Sequence, residues 1–197
     1  MKVKERYESF EIESFTGVIY IPGYVNTPTL HPTVYLLGTE EKELREIIRL
    51  LKKDPLWKQK EPVLVGIHPG NWSEDYSPFP APPLTQGNPA FGSSAGDYLR
   101  SIAERLVPEI EKIAPVFLDA DTRYLAGYSL AGLCALYGAY VSDAFGGYGA
   151  VSPSLWLEGW MEFVHTSPLH SQKDLSFSGQ QGIPHKERAH GSGRRLF

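Results

Sequence analysis

Leu125-Ala126-Gly127-Tyr128-Ser129-Leu130-Ala131-Gly132-Leu133 is the stretch on which the reading of this chain turns. A β-favouring run, Thr122 to Ala126, leads into a serine flanked by small residues. A helix-favouring run, Leu130 to Val141, leads out. A strand that turns at once into a helix packs the helix back against the strand. The residues two before the serine and two or three after it must then be small, as Gly127, Ala131 and Gly132 are. The serine at the tip is held in a strained conformation, and the first N–H groups of the helix are left free beside it. The plainer alternative is a serine that only caps the helix.

The bulk properties suit one globular domain. The chain has 197 residues, 42% hydrophobic and 21% charged, with a net charge of -4. Lys and Arg number 19 against 23 acids, with no basic stripe, which argues against nucleic acid or an anionic membrane as partner. No run approaches the ~18 apolar residues that span a bilayer. Met1 to Arg6 has no apolar core behind it, as a signal peptide would require, so a cytoplasmic location is expected. One cysteine excludes an internal disulfide, and Cys134, between Leu133 and Ala135, reads as a buried apolar residue. The histidines are dispersed, with no His-x-x-Glu-His or His-x-x-x-His pattern, so neither a metal nor another cofactor is expected. Oligomeric state is not legible.

The elements alternate. Tyr7 to Ser14 and Gly17 to Ile21 read as an antiparallel pair, closed by Pro22-Gly23. Thr33 to Gly38 and Pro62 to Ile67 are apolar runs, as expected of strands buried on both faces. Glu40 to Lys53 reads as a helix with Leu44, Ile47, Ile48 and Leu51 on one face. His68 to Gly96 is a long proline-rich loop, a length that in a compact domain usually serves function. Asp97 to Ile113 reads as a helix with Leu99, Ile102, Ala103, Leu106, Ile110 and Ile113 inward, and Asp97 near its cap. Phe145 to Ser152 reads as a glycine-rich turn into another strand. Such alternation makes a mostly parallel sheet with helices on both faces and antiparallel strands at its N-terminal start.

Gly127-Tyr128-Ser129-Leu130-Ala131-Gly132-Leu133, followed by Phe145-Gly146-Gly147-Tyr148-Gly149-Ala150-Val151-Ser152-Pro153-Ser154-Leu155-Trp156, resembles the "Putative esterase" family of α/β hydrolases. That family includes enterochelin (ferric siderophore) esterases and related carboxylesterases. Asn71 to Pro82 resembles a loop that many members carry, and the likeness covers roughly residues 7 to 172. The resemblance implies the α/β-hydrolase fold and hydrolysis of a small-molecule ester through an acyl-serine intermediate. Ser129 would be the nucleophile. The backbone N–H groups of Leu130 and Thr39 would form the oxyanion hole, each worth on the order of 3 kcal/mol. Trp72, Tyr76 and Trp156 would wall the substrate pocket. An apolar cluster that pins the loop, made of these three and Phe79, is the competing role.

In this fold the acid and the histidine follow the serine in the chain. Beyond Trp160 the pattern fails. Residues 1–172 are therefore expected to form an incomplete hydrolase domain, and 173–197 an irregular tail. His165, His170, His185 and His190 lie downstream, none with the strand context of a general base. The base and acid are thus unassigned. Codons permitted for Lys173 to Phe197 can be chosen so that the neighbouring frame reads Lys-Ile-Tyr-Leu-Ser-Val-Gly-Asn-Lys-Glu, resembling the family's next strand and turn. A slip at Gln172-Lys173 would account for the tail. The expected product is an impaired ester hydrolase. An acyltransferase, or a non-catalytic binding domain on the same fold, remains open.

Overall fold

The computed structural model describes residues 2–25, 29–57, 60–169 and 174–178. Its centre is a seven-stranded sheet. The strands are β2 (Arg6–Ile12), β3 (Phe15–Ile21), β5 (Thr33–Leu37), β6 (Val63–Ile67), β7 (Arg123–Tyr128), β8 (Gly147–Val151) and β9 (Asp174–Ser178), in the order β2-β3-β6-β5-β7-β8-β9. β1 (Lys2–Val3) and β4 (Tyr24–Val25) form a separate antiparallel ribbon. β2, β3 and β6 run antiparallel to their neighbours in turn, and from β6 to β9 every pairing is parallel. The antiparallel start and parallel remainder agree with the sequence reading.

Both faces of the sheet are covered. α1 (Glu41–Leu51) lays Leu44 and Ile48 against Val18, Tyr20 and Leu64 on one face. Its first turn is closed by the Glu40 N–H donating to Glu43 Oε2 at 3.0 Å, a capping box that satisfies an otherwise orphaned donor. On the other face, α5 (Leu130–Val141) and the helical segment 95–113 pack on Ile19, Tyr35, Val65 and Leu125. The alternation along β5 records this: Thr33, Tyr35 and Leu37 are buried on one side, Val34 and Leu36 half-buried on the other.

The segment 95–113 departs from expectation in an instructive way. It consists of α3 (Ala95–Ser101), a π-helical stretch (Ile102–Leu106) and α4 (Val107–Ile113). Pro108 has no N–H to donate to the carbonyl of Glu104, and the turn before it widens until the Val107 N–H reaches Ile102 O. The extra residue rotates the rest of the helix. Ala114 takes the inward place expected of Ile113, which is 48% exposed. The helix begins at Ala95, so Asp97 lies inside the first turn and pairs with Arg100 at 2.9 Å instead of capping. In α1, Leu51 is likewise exposed, because it ends the helix.

Further elements were not legible. The long loop contains α2 (Trp72–Asp75) and a bridge between Ala81 and Phe91. After Trp160 come α6 (Trp160–Thr166) and β9, where an irregular tail was expected from residue 173. Asp174-Leu175-Ser176-Phe177-Ser178 does alternate polar with apolar, and the parallel edge of β8 supplies the ladder that such a short run lacks alone. No helix among the described residues is long and apolar enough to cross a membrane.

Candidate active site

Ser129 sits between β7 and α5 with φ 57° and ψ -119°, a backbone conformation that L residues rarely adopt. Close packing enforces it. A Cβ on Gly127 would lie 2.5 Å from the carbonyl carbon of Ala131 and 2.9 Å from Gly132 N. A Cβ on Gly132 would meet Gly127 O at 2.9 Å and Val151 O at 3.2 Å. The tight approach on the helix side is therefore carried by Gly132, and Ala131 is free to place its methyl group in the core.

Hydrogen bonds fix the serine from three sides. Its N–H donates to Val151 O at 3.0 Å, and its carbonyl accepts from Leu133 N and Ser154 N, each at 3.0 Å. Its hydroxyl lies 3.3 Å from that of Ser154. Leu130 opens α5, so its N–H belongs to the set without an intrahelical acceptor, at the positive end of the helix dipole. This is the arrangement expected of an oxyanion donor next to a nucleophile.

A cavity of about 200 Å³ opens over Ser129 and Leu130, walled by Trp72, Leu84, Phe91 and Trp156, with Ser154 at its side. Of the three aromatics expected there, Trp72 and Trp156 line it. Tyr76 does not; it is fully buried and stacks edge-on against Trp72 at 5.0 Å and Tyr98 at 5.4 Å. Its part is to brace the loop, and burial pushes its hydroxyl pKa up. Phe79 also belongs to the packing, against Tyr137 and Phe163. Gly38, at φ 63°, lets Trp72 press on the end of β5, where a Cβ would come within 2.7 Å of the indole.

Thr39 is buried, and its N–H donates to Ile67 O at 2.9 Å. An amide committed to a strand carbonyl does not serve an oxyanion, so the expected second donor is not presented in this geometry. Asp75 anchors the same loop. Its carboxylate accepts from Asn71 N at 2.8 Å, while burial holds its pKa above the usual value. Cys134 is fully buried beneath, and burial raises its thiol pKa, in keeping with an apolar role.

Among the described residues no histidine is bonded to Ser129. His165 is exposed on α6. His31 is bound to Glu61 O at 2.6 Å, and His68 lies 3.5 Å from Thr16 Oγ1 and 3.7 Å from Glu40. His170, His185 and His190 lie outside the described residues. Six residues that line the cavity went unassigned from sequence, Ser154, Leu84 and Phe91 among them. Ser154 stood in a block singled out for other reasons. Leu84 and Phe91 sit in an irregular stretch where no periodicity marks an inward face.

A model of the Putative esterase family matches residues 14–193. A protein of Bacillus subtilis (strain 168), the uncharacterized protein YbbA, is 30% identical over 149 residues, 75% of this chain and 60% of its own length. The crystal structure of an IroE-like serine hydrolase from Shewanella oneidensis superposes with a TM-score of 0.69 at 28% identity, over 81% of this chain and 54% of that one. The siderophore hydrolase EstA from Aspergillus nidulans, at 19% identity, shares the fold with a TM-score of 0.66, over 96% of this chain and 74% of that one. The chain thus spans little more than half the length of the first two. With a strained serine between a parallel strand and its helix, and a match across most of its length, this chain belongs to the Putative esterase family.

Proposed function

We propose that this chain hydrolyses small carboxylic esters through an acyl-enzyme on Ser129. One observation carries the reading: Ser129 is held at φ 57°, ψ -119° at the head of α5, facing an aromatic-walled cavity. In the reaction, Ser129 Oγ bonds to the ester carbonyl carbon as its proton passes to a base. The carbonyl oxygen takes up the negative charge beside the Leu130 N–H, and the alcohol leaves with a proton. Water then releases the acid. Trp72 and Trp156 give the acyl or alcohol group its apolar contact.

We further infer that turnover is low. In support, the side chain that bonds Ser129 Oγ among the described residues is a serine, and a serine hydroxyl without a base is a weak nucleophile near pH 7. The same observation favours a second reading, a binding domain that keeps the cavity and has lost the chemistry. Fluorophosphonate labelling with peptide mapping, run beside hydrolysis of p-nitrophenyl acetate, decides. Labelling at Ser129 with slow turnover is expected. An unlabelled Ser129 in a chain that still binds an ester analogue overturns hydrolysis in favour of binding.

The proposal that residues 173–197 are read out of frame has its own test, the nucleotide sequence from the codon of His165 onward. A continuation in the neighbouring frame that restores an acid and a histidine bears it out. Absence of one defeats it.

A further inference from the structure

Ser154 is one of the buried polar side chains among the described residues, 4% exposed. Among the described residues its hydroxyl has one bonded partner, the hydroxyl of Ser129 at 3.3 Å. The same residue's N–H donates to Ser129 O, and its own carbonyl accepts from Leu157 N at 3.1 Å. The chain arrives there through Ser152, at φ 43°, and Pro153. A turn that spends strain to bring one residue against both ends of another has a narrow geometric purpose.

Resting on the hydrolase reading, we propose that Ser154 is a positioning residue for the nucleophile. A hydroxyl donates once and accepts twice. With Ser154 as donor, Ser129 Oγ accepts, its side-chain rotamer is fixed, and its own proton is left free for a base. The bond then strengthens as charge grows on Oγ, since hydrogen bonds to charged groups are about twice as strong. With Ser154 replaced by alanine, Ser129 loses its rotamer constraint and its donor, while the backbone grip through the N–H at 154 survives.

The test measures the rate of fluorophosphonate labelling at Ser129, resolved into the affinity step and the covalent step, with thermal unfolding of each variant. Ser154→Ala is expected to slow the covalent step about tenfold to a hundredfold, with affinity and melting temperature nearly unchanged. Ser154→Thr is expected to restore most of it. Should the added methyl destabilise the turn, Ser154→Cys replaces it: a fall like alanine's marks the hydroxyl as the cause. A native covalent rate in Ser154→Ala overturns the role. So does a loss carried by affinity alone, which marks Ser154 as wall and not as positioner. If the unaltered chain fails to label, the hydrolase reading falls and this role falls with it; if it labels and Ser154→Ala labels equally, only this role falls.

Discussion

A Cβ on Gly127 would sit 2.5 Å from the carbonyl carbon of Ala131, across the turn that presents Ser129. Backbone cannot yield as a flexible side chain would. Gly127→Ala is therefore expected to cost about 3 kcal/mol, read from urea unfolding. Gly96→Ala is the control. It lies in α3, where a new Cβ would find Tyr137 Oη at 3.8 Å, and is expected to gain about 0.5–1 kcal/mol. Equal effects at the two sites would refute the close-packed turn.

The backbone of Ser129 reverses an ordinary ranking. Alanine normally outranks glycine in folded chains, but at φ 57°, ψ -119° a Cβ is a burden. Ser129→Gly is expected to be more stable than Ser129→Ala by about 1 kcal/mol, and neither to label with a fluorophosphonate. Chemical unfolding of the pair measures this. Alanine proving the more stable would mean that the serine is unstrained.

Alkaline pH is expected to destabilise the fold. Burial is the leading cause that raises the pKa of Tyr20, Tyr35, Tyr98, Tyr148 and Cys134. Groups whose folded pKa exceeds the unfolded one give stability that is complete below the unfolded value and lost as pH rises through the folded one. The urea midpoint should accordingly fall above about pH 9, and Tyr98→Phe should soften that fall. The thiol of Cys134 should react with a maleimide only in denaturant. A flat profile from neutral to strongly alkaline pH would contradict the burial of these groups.

Arg123 and Glu111 form a sheltered pair at 2.6 Å, with side chains 14% and 15% exposed, and Arg123 also donates to Leu118 O and Ala144 O. Removing one partner strands the other. Arg123→Met is expected to cost about 3 kcal/mol, and adding Glu111→Leu to recover part of it. Additive losses in this double-mutant cycle would show that the two charges act independently.

Legibility followed local periodicity. Gly127, Ser129 and Gly132 announced the turn because its sterics act over a few residues of chain. β2 announced itself by two-fold alternation, β5 and β6 by continuous apolar runs, and α1 by a 3.6-fold pattern. The misses have long-range or subtle causes. Leu84 and Phe91 face the cavity because the bridge from Ala81 to Phe91 folds the loop there. Ile113 is turned outward by a π-helical stretch that a single proline induces. Tyr76 was placed in the pocket wall by family resemblance, which does not distinguish an aromatic that touches ligand from one that props its neighbour. β9 was overlooked because much of what makes it a strand lies on β8. Thr39 was assigned by analogy of position, and only the partner of its amide reveals that the N–H is already in use.

The amide of Ser152 donates to Ser178 O at 2.5 Å, one residue beyond the carbonyl of Val151 that receives the Ser129 N–H. β9 is the outermost strand described on that side of the sheet. Rims open before centres, at a fraction of the free energy of global unfolding. Ser129 is therefore tied, through Val151 and Ser152, to one rim of the sheet. A lesion near Ser178 is expected to reach the backbone that holds Ser129 without first disturbing the core.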